Sequence, residues 1–169
     1  MSEPPTSDLP ITIRPYQPGD HLACRKLYLE GRVNGTQMAA NDTGLDIDDI
    51  VAAYMSCPDS HFWVALNDVG ETVGMIGVQK VEDGIGEIRR LRVRRDSRRR
   101  GVGSALMETA LKFCREHQFL KITLDTFMDH EPAVRLFEKF HFNHSRTRKV
   151  GEKQLLYFYL DLYQTDRRH

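Results

Sequence analysis

The stretch LRVRRDSRRRGVGSALMETAL, Leu91 to Leu111, concentrates the residues best suited to chemistry. Arginine stands at Arg89, Arg90, Arg92, Arg94, Arg95, Arg98, Arg99 and Arg100, and Gly101-Val102-Gly103 follows directly. A glycine turn that opens a helix is an anion site. The first backbone N–H groups of the helix have no partner inside it, and the macrodipole adds partial positive charge there. Glycine at 101 and 103 lets an anion approach the backbone and permits positive φ. Guanidinium groups beside it add charge-assisted contacts. Two occupants suit such a site: the phosphates of a nucleic acid, or one small phosphorylated ligand.

Charge separates the two. The chain has 169 residues, with 24 Lys and Arg against 24 Asp and Glu, so its formal net charge is zero. A dedicated nucleic-acid binder is usually basic as a domain. No aromatic residue interrupts Arg89–Arg100 to stack on bases. A nucleic-acid-binding domain is therefore the weaker alternative, and no nucleic acid is expected as partner.

The particular ligand is narrowed by spacing. A P-loop needs Lys-Ser/Thr after its second glycine, and Gly103 is followed by Ser104-Ala105. The dinucleotide fingerprint wants a third small residue where Leu106 stands. Both fit poorly. The pattern Arg/Gln-x-x-Gly-x-Gly/Ala is met by Arg98-Arg99-Arg100-Gly101-Val102-Gly103.

The elements that must position this turn can be read around it. The length favours one domain: a Pro/Ser-rich tail over 1–9, then a folded unit over 10–169. ITIRPY (Ile11–Tyr16) alternates as a strand. A helix follows from His21, with Leu22, Leu27, Leu29 and Val33 as its apolar stripe. DIDDIVAAYMSC (Asp46–Cys57) is expected as one further helix, with Ile47, Ile50, Val51 and Tyr54 on one face, ended by Pro58. HFWVAL (His61–Leu66), TVGMIGVQKV (Thr72–Val81) and GEIRRLRV (Gly86–Val93) form a meander of strands. A helix runs from about Gly101 to His117, with Val102, Leu106, Ala110, Phe113 and Cys114 inward. LKITLDTF (Leu120–Phe127) is a strand, EPAVRLFEKF (Glu131–Phe140) a helix with Pro132 in its first turn, and LLYFYLDL (Leu155–Leu162) a closing strand; another strand fits Phe142–Val150. The predicted class is a mixed-sheet α/β or α+β domain: a central, mostly antiparallel sheet with flanking helices, and one parallel pair joined by a crossover over residues 86–126.

Cys24, Cys57 and Cys114 form no C-x-x-C pair, which excludes zinc-ribbon and thioredoxin-type readings and fits a reducing compartment. No apolar run approaches the ~20 residues that span a bilayer. MSEPPTSDLP has neither the basic nor the apolar region of a secretion signal. The expectation is a cytoplasmic protein with no membrane partner, in which the N-x-S/T triplets at Asn34, Asn41 and Asn143 arise by chance.

The succession GEIRRLRV, RRRGVG, SALMETALKFCREH, KITLDT and PAVRLFEKFHF resembles the GNAT N-acetyltransferase superfamily. Upstream, IRPYQPGDHLACRKLYLEG and DIVAAYMSCPDSHFWVAL look like its camello-like branch, over roughly residues 11–162 in all, although the apolar anchor which that branch carries between its first two helices is absent here. The resemblance implies an enzyme using acetyl-CoA as acyl donor to a small-molecule or peptide amine, by direct attack in a ternary complex; a homodimer is compatible with it. It implies that backbone amides from Arg99 through Arg100, Gly101, Val102 and Gly103 to Ser104 hold the pyrophosphate of coenzyme A, with Arg94, Arg95, Arg98, Arg99 and Arg100 around it. Leu91, Arg92 and Val93 would pair with the pantetheine as an added strand, and the N–H of Leu91 would serve as oxyanion donor.

Glu87 lies eleven residues before Arg98, the offset of the catalytic glutamate in histone-acetylating members, and is the candidate base; pairing with a surface arginine is its other reading. If the strand is regular, Glu87, Arg89, Leu91 and Val93 share one face; the resemblance implies that a bulge often interrupts this strand, which leaves the facing open. Phe137 stands where the family usually has a tyrosine that protonates the leaving thiolate, which leaves a non-catalytic acyl-CoA-binding module as an alternative. His130 occupies an asparagine position and would contact pantetheine or move a proton; a solvated loop histidine is its other reading. His141 replaces the glycine of a closing Gly-Phe. His130, His141 and His144 match no metal-ligand spacing, so no metal is expected. Ser97 and Ser104 lack an evident base, and Cys114 reads as core. Tyr157 or Tyr159 is a candidate for the acceptor site, with selectivity expected in the loop Asn34–Leu45 and the last strands.

Overall fold

The computed structural model describes residues 10–33, 43–127 and 131–165. Its strands are β1 (Thr12–Pro15), β2 (His61–Leu66), β3 (Thr72–Glu82), β4 (Ile85–Val93), β5 (Lys121–Phe127), β6 (Asn143–Val150) and β7 (Lys153–Asp161). They form one sheet in the order β1-β2-β3-β4-β5-β7-β6. All neighbours are antiparallel except β4 and β5. The helices are α1 (His21–Val33), α2 (Leu45–Asp48), α3 (Val102–Glu116), α4 (Glu131–Lys139) and α5 (Leu162–Thr165), with a π-helical turn at Val51–Met55. The mixed sheet, its single parallel pair and the extra strand near the C-terminus are as the sequence predicts. Among the described residues, no helix is long and apolar enough to cross a membrane.

The sheet carries a core on each face. In HFWVAL, Phe62 and Val64 face one side while Trp63 and Ala65 face the other, the period-two alternation of a strand. One core joins Trp63, Ile76, Ile88, Ile122 and Phe158 of the sheet to Val102, Leu106, Met107, Ala110, Leu111 and Cys114 of α3 and to Phe137 of α4. Burying each of the larger of these side chains contributes about 1.5–3 kcal/mol. The other core packs Cys24, Leu27 and Tyr28 of α1, with Ile47, Ile50 and Tyr54, onto Phe62, Val64 and Met75.

Two predicted helical faces need correction. In α1 the inward residues are Cys24, Leu27 and Tyr28, whereas Leu22 is 77% and Leu29 42% exposed. The i, i+3, i+4 face is set here by cysteine and tyrosine beside one leucine, and a stripe of leucines selects the wrong side. The segment 46–57 is not one helix. Asp49 leaves the helical region at φ −146 and ψ 78. Its carboxylate then accepts the Ala52 N–H at 3.1 Å and its carbonyl accepts the Ala53 N–H at 3.0 Å, which restarts the chain as the π-helical turn. Ile47, Ile50 and Tyr54 remain buried, and Val51 turns outward.

Candidate functional site

β4 and β5 run side by side only briefly. Their register is Ile85–Lys121, Gly86–Ile122 and Glu87–Thr123. Beyond Glu87 the strands diverge, β4 to Val93 and β5 to Phe127. The fork opens into a cleft of about 480 Å³. Ile88, Leu91, Arg92 and Val93 line it from β4, Leu124, Asp125 and Thr126 from β5, Val102, Gly103 and Ser104 from the start of α3, and Ala133, Leu136 and Phe137 from α4. The edge of β4 past Glu87, which carries strand hydrogen-bonding groups, faces this space.

A bulge shapes that edge. Gly77 faces Arg89 and Met75 faces Arg92, so Arg90 and Leu91 together oppose Ile76. Arg90 takes the left-handed conformation, φ 60. One extra residue reverses the alternation, so the expected common face of Glu87, Arg89, Leu91 and Val93 is not formed. Leu91 and Val93 turn with Ile88 toward the α3 core. Arg89 turns the other way, donating to Gln79 Oε1 at 2.8 Å, while Gln79 Nε2 donates to the Ala53 carbonyl at 3.0 Å. Glu87, 3.3 Å from Arg89, lies on that second face.

At the far end of the cleft the chain folds back through Arg98–Gly101. Arg99 (φ 64) and Gly101 (φ 80) are both left-handed, and Gly101 is the N-cap of α3 with no side-chain cap. Such a succession gathers backbone N–H groups around one concavity. A Cβ on Gly103 would lie 3.4 Å from Leu136 Cδ2 and 3.8 Å from Val93 Cγ2, narrowing the passage. Ser104 accepts a hydrogen bond from Lys139 Nζ at 3.0 Å, which brings a cation from α4 to the same mouth.

The arginine run disperses. Arg92, Arg98 and Arg99 line the cleft, joined by Arg135 of α4. Arg94 pairs with Asp96 at 2.6 Å and Glu71 at 3.5 Å, away from the cleft. Arg95 and Arg100 are exposed and lie outside its lining. Arg90 points inward to Asp46, with its Nε and one terminal nitrogen donating at 2.9 and 2.7 Å. Tyr54 donates to the same carboxylate at 2.6 Å. Of the five arginines expected around the turn, Arg98 and Arg99 line the cleft.

Glu87 is half-buried, and burial pushes its carboxyl above the ordinary range. Arg89 pulls it down and Asp125 pushes it further up; the net direction is upward. Phe137, 4% exposed, packs its ring against Phe158 at 5.6 Å and Phe142 at 6.0 Å while lining the cleft. His130, the 1–9 tail and most of the loop Asn34–Leu45 lie outside the described residues. Four residues escape the sequence reading. Asp46 and Arg90 are far apart in the chain with no motif spacing. Lys139 is one of many helix-surface lysines. Asp125 did leave a signal, as the acid inside the apolar strand LKITLDTF.

Residues 23–142 match the model of the Acetyltransferase (GNAT) family. The chain is 35% identical over 103 residues to the probable N-acetyltransferase camello of Xenopus tropicalis, covering 60% of this chain and 47% of that protein, so it spans about half its relative's length. A GNAT-family acetyltransferase of Staphylococcus aureus Mu50 has the same fold, with a TM-score of 0.80, 19% identity and coverage of 90% and 99% of the two chains. So does yncA of Salmonella typhimurium, solved with acetyl-CoA, with a TM-score of 0.76, 19% identity and coverage of 90% and 94%. The forked strands, the β4 bulge and the glycine turn at the head of α3 are those of a chain that belongs to the GNAT family of acetyltransferases.

Proposed function

We propose that the chain is an acyl-CoA-dependent N-acetyltransferase, moving an acetyl group from acetyl-CoA directly to a primary amine in a ternary complex. One observation carries the reading: the β4–β5 fork opens onto the uncapped N-terminus of α3, so a strand edge and an anion site line one cleft. Both ends suit an elongated ligand with an amide-bearing arm and a diphosphate. The Salmonella protein of this fold was solved with acetyl-CoA.

The backbone N–H groups from Arg99 to Ser104 would hold the pyrophosphate, with Arg98 beside them. Leu91, Arg92 and Val93 would pair with the pantetheine as β-strands pair. The Leu91 N–H would face the thioester oxygen. Bound acetyl-CoA supplies an activated acyl carbon and a leaving thiolate. Glu87 serves the amine. An acceptor amine arrives as ammonium, with a pKa near ~10 for a lysine-type amine or ~8 for an α-amine, and must lose a proton before its lone pair can attack. Glu87 takes that proton directly or through water. As the N–C bond forms, the C–S bond breaks and its electron pair leaves on sulfur. A thiol pKa near ~8.5 makes the thiolate a tolerable leaving group without a dedicated acid, so Phe137 does not bar the reaction.

Phe137 favours the second reading, a module that binds acyl-CoA without turning it over. Release of thiol from acetyl-CoA across an amine panel separates the two. Amine-dependent release supports the enzyme; acetyl-CoA binding without release from any amine supports the module.

A further inference from the structure

We propose that Asp125 holds the ammonium group of the acceptor beside Glu87, so that binding the amine and removing its proton fall to two different carboxylates. This rests on the acetyltransferase reading and adds to it a residue that recognises the substrate.

The placement follows from the fork. Glu87 and Thr123 are the last pair in register, and paired residues share a sheet face. Side chains alternate along a strand, so Asp125 lies on the same face as Thr123 and therefore as Glu87. It stands one such step, about 6.6 Å, further into the opening. Asp125 also lines the cleft in which Leu91 presents its backbone. It is the acid that belongs both to the cleft wall and to the face that carries Glu87. An ammonium has three donors, enough to engage two carboxylates that share a face. The influence of Asp125 on the Glu87 carboxyl agrees with this proximity.

The surroundings assign different work to the two acids. Glu87 is half-buried, and burial disfavours its charge, which suits a group that must accept a proton. Asp125 is exposed and lines the cleft, where an arriving amine can reach it. Among the described residues, charged or titratable groups on this face include Arg89 of β4, Lys121 of β5, Lys153, Tyr157, Tyr159 and Asp161 of β7, and Arg146 and Arg148 of β6. Asp125 pairs across the strands with Tyr157. The Arg146 guanidinium lies 4.2 Å above the Tyr157 ring, and Lys121 Nζ lies 5.3 Å from the centre of the Tyr159 ring.

The test is steady-state kinetics at saturating acetyl-CoA with ethanolamine, phenethylamine, spermidine and glycinamide. Asp125→Asn should raise KM for every amine turned over by at least tenfold, with kcat within threefold of wild type. Asp125→Glu should recover most of the loss. Glu87→Gln should show the opposite split, a lower kcat at similar KM. Asp125→Ser serves if the asparagine variant is poorly folded. An unchanged KM, or a loss confined to kcat, overturns the proposal. If wild type turns over none of the four amines although acetyl-CoA raises its melting temperature, the acetyl-transfer reading fails, and the carboxyl ¹³C titration of Glu87 still decides on Asp125. A downward move in Asp125→Asn supports the placement of Asp125 beside Glu87 that the shared site requires, and an unchanged titration overturns it.

Discussion

Arg90 and Asp46 form a two-pronged ion pair, 2.9 and 2.7 Å, with side chains only 6% and 10% exposed. The pair ties the start of α2 to the bulged residue next to Leu91. The Tyr54 hydroxyl closes on the same carboxylate, and the Tyr28 ring lies 5.0 Å from the guanidinium carbon. The backbone expected to meet the thioester is thus anchored from behind, on the face opposite the cleft.

Asp46→Ala would remove both charge-assisted hydrogen bonds that Asp46 accepts from a buried guanidinium and should cost about 3 kcal/mol, which for a domain of this size is roughly 10 °C in Tm. The loss should depend on pH. Burial raises the Asp46 carboxyl, but hydrogen bonds from Arg90 and Tyr54 outweigh it and hold it below the ordinary range. On acidification the unfolded chain therefore takes up the proton first, and the stabilisation fades as pH falls through the lowered value. Thermal melts should show the full wild-type advantage at pH 6 and a shrinking one below about pH 4.

Arg98→Ala and Gly101→Val should each blunt the rise in Tm that acetyl-CoA produces by mass action. The valine acts through the backbone: Gly101 has φ 80, and its Cβ would meet nothing within 4 Å, so conformation and not crowding is disturbed. Calorimetric titration with acetyl-CoA checks both, and affinity equal to wild type in both variants would remove the glycine turn from the site.

Much of this was legible beforehand. Arg98–Gly103 marked the anion turn from residue types alone, and the alternation of His61–Leu66 and Lys121–Phe127 marked strands with buried faces. What escaped depended on distance or on a local break in periodicity. The bulge at Arg90–Leu91 inverts the facing of Leu91 and Val93 relative to Glu87; the family resemblance raised such a bulge, but GEIRRLRV carries no glycine or proline within it to fix its position. Asp46 of α2 and Arg90 of β4 are distant in the chain and meet only in the folded structure. Five arginines looked equivalent in the sequence. Acidic neighbours claim Arg94, and position leaves Arg95 and Arg100 outside the cleft.

Glu87→Gln should lower acetyl transfer while leaving acetyl-CoA affinity near wild type. The raised Glu87 carboxyl must lose its proton before it can act as base, so the acid limb of the wild-type kcat/KM profile should lie above the ordinary carboxylate range, and the variant should lose that limb. A variant with the wild-type rate from pH 6 to 9 would assign the proton transfer elsewhere.

Phe137→Tyr should raise turnover several-fold. A phenol with pKa near ~10 restores a donor where the cleft wall has only a ring. The gain should fall short of the ~10²–10⁴-fold typical of a positioned acid, since Phe137 sits among Phe142 and Phe158 with no arrangement made for a hydroxyl. Single-turnover rates of the two forms check this; a slower tyrosine variant would give the acid role to another group.

The most direct test of acetyl transfer is amine-dependent thiol release from acetyl-CoA, followed with the acetylated amine by mass spectrometry, for wild type, Glu87→Gln and Arg98→Ala. The account predicts release with matching amide formation in wild type, a lower kcat in Glu87→Gln, and a raised KM for acetyl-CoA in Arg98→Ala. Wild-type protein that binds acetyl-CoA yet releases no thiol with any amine between pH 6 and 9 would contradict it.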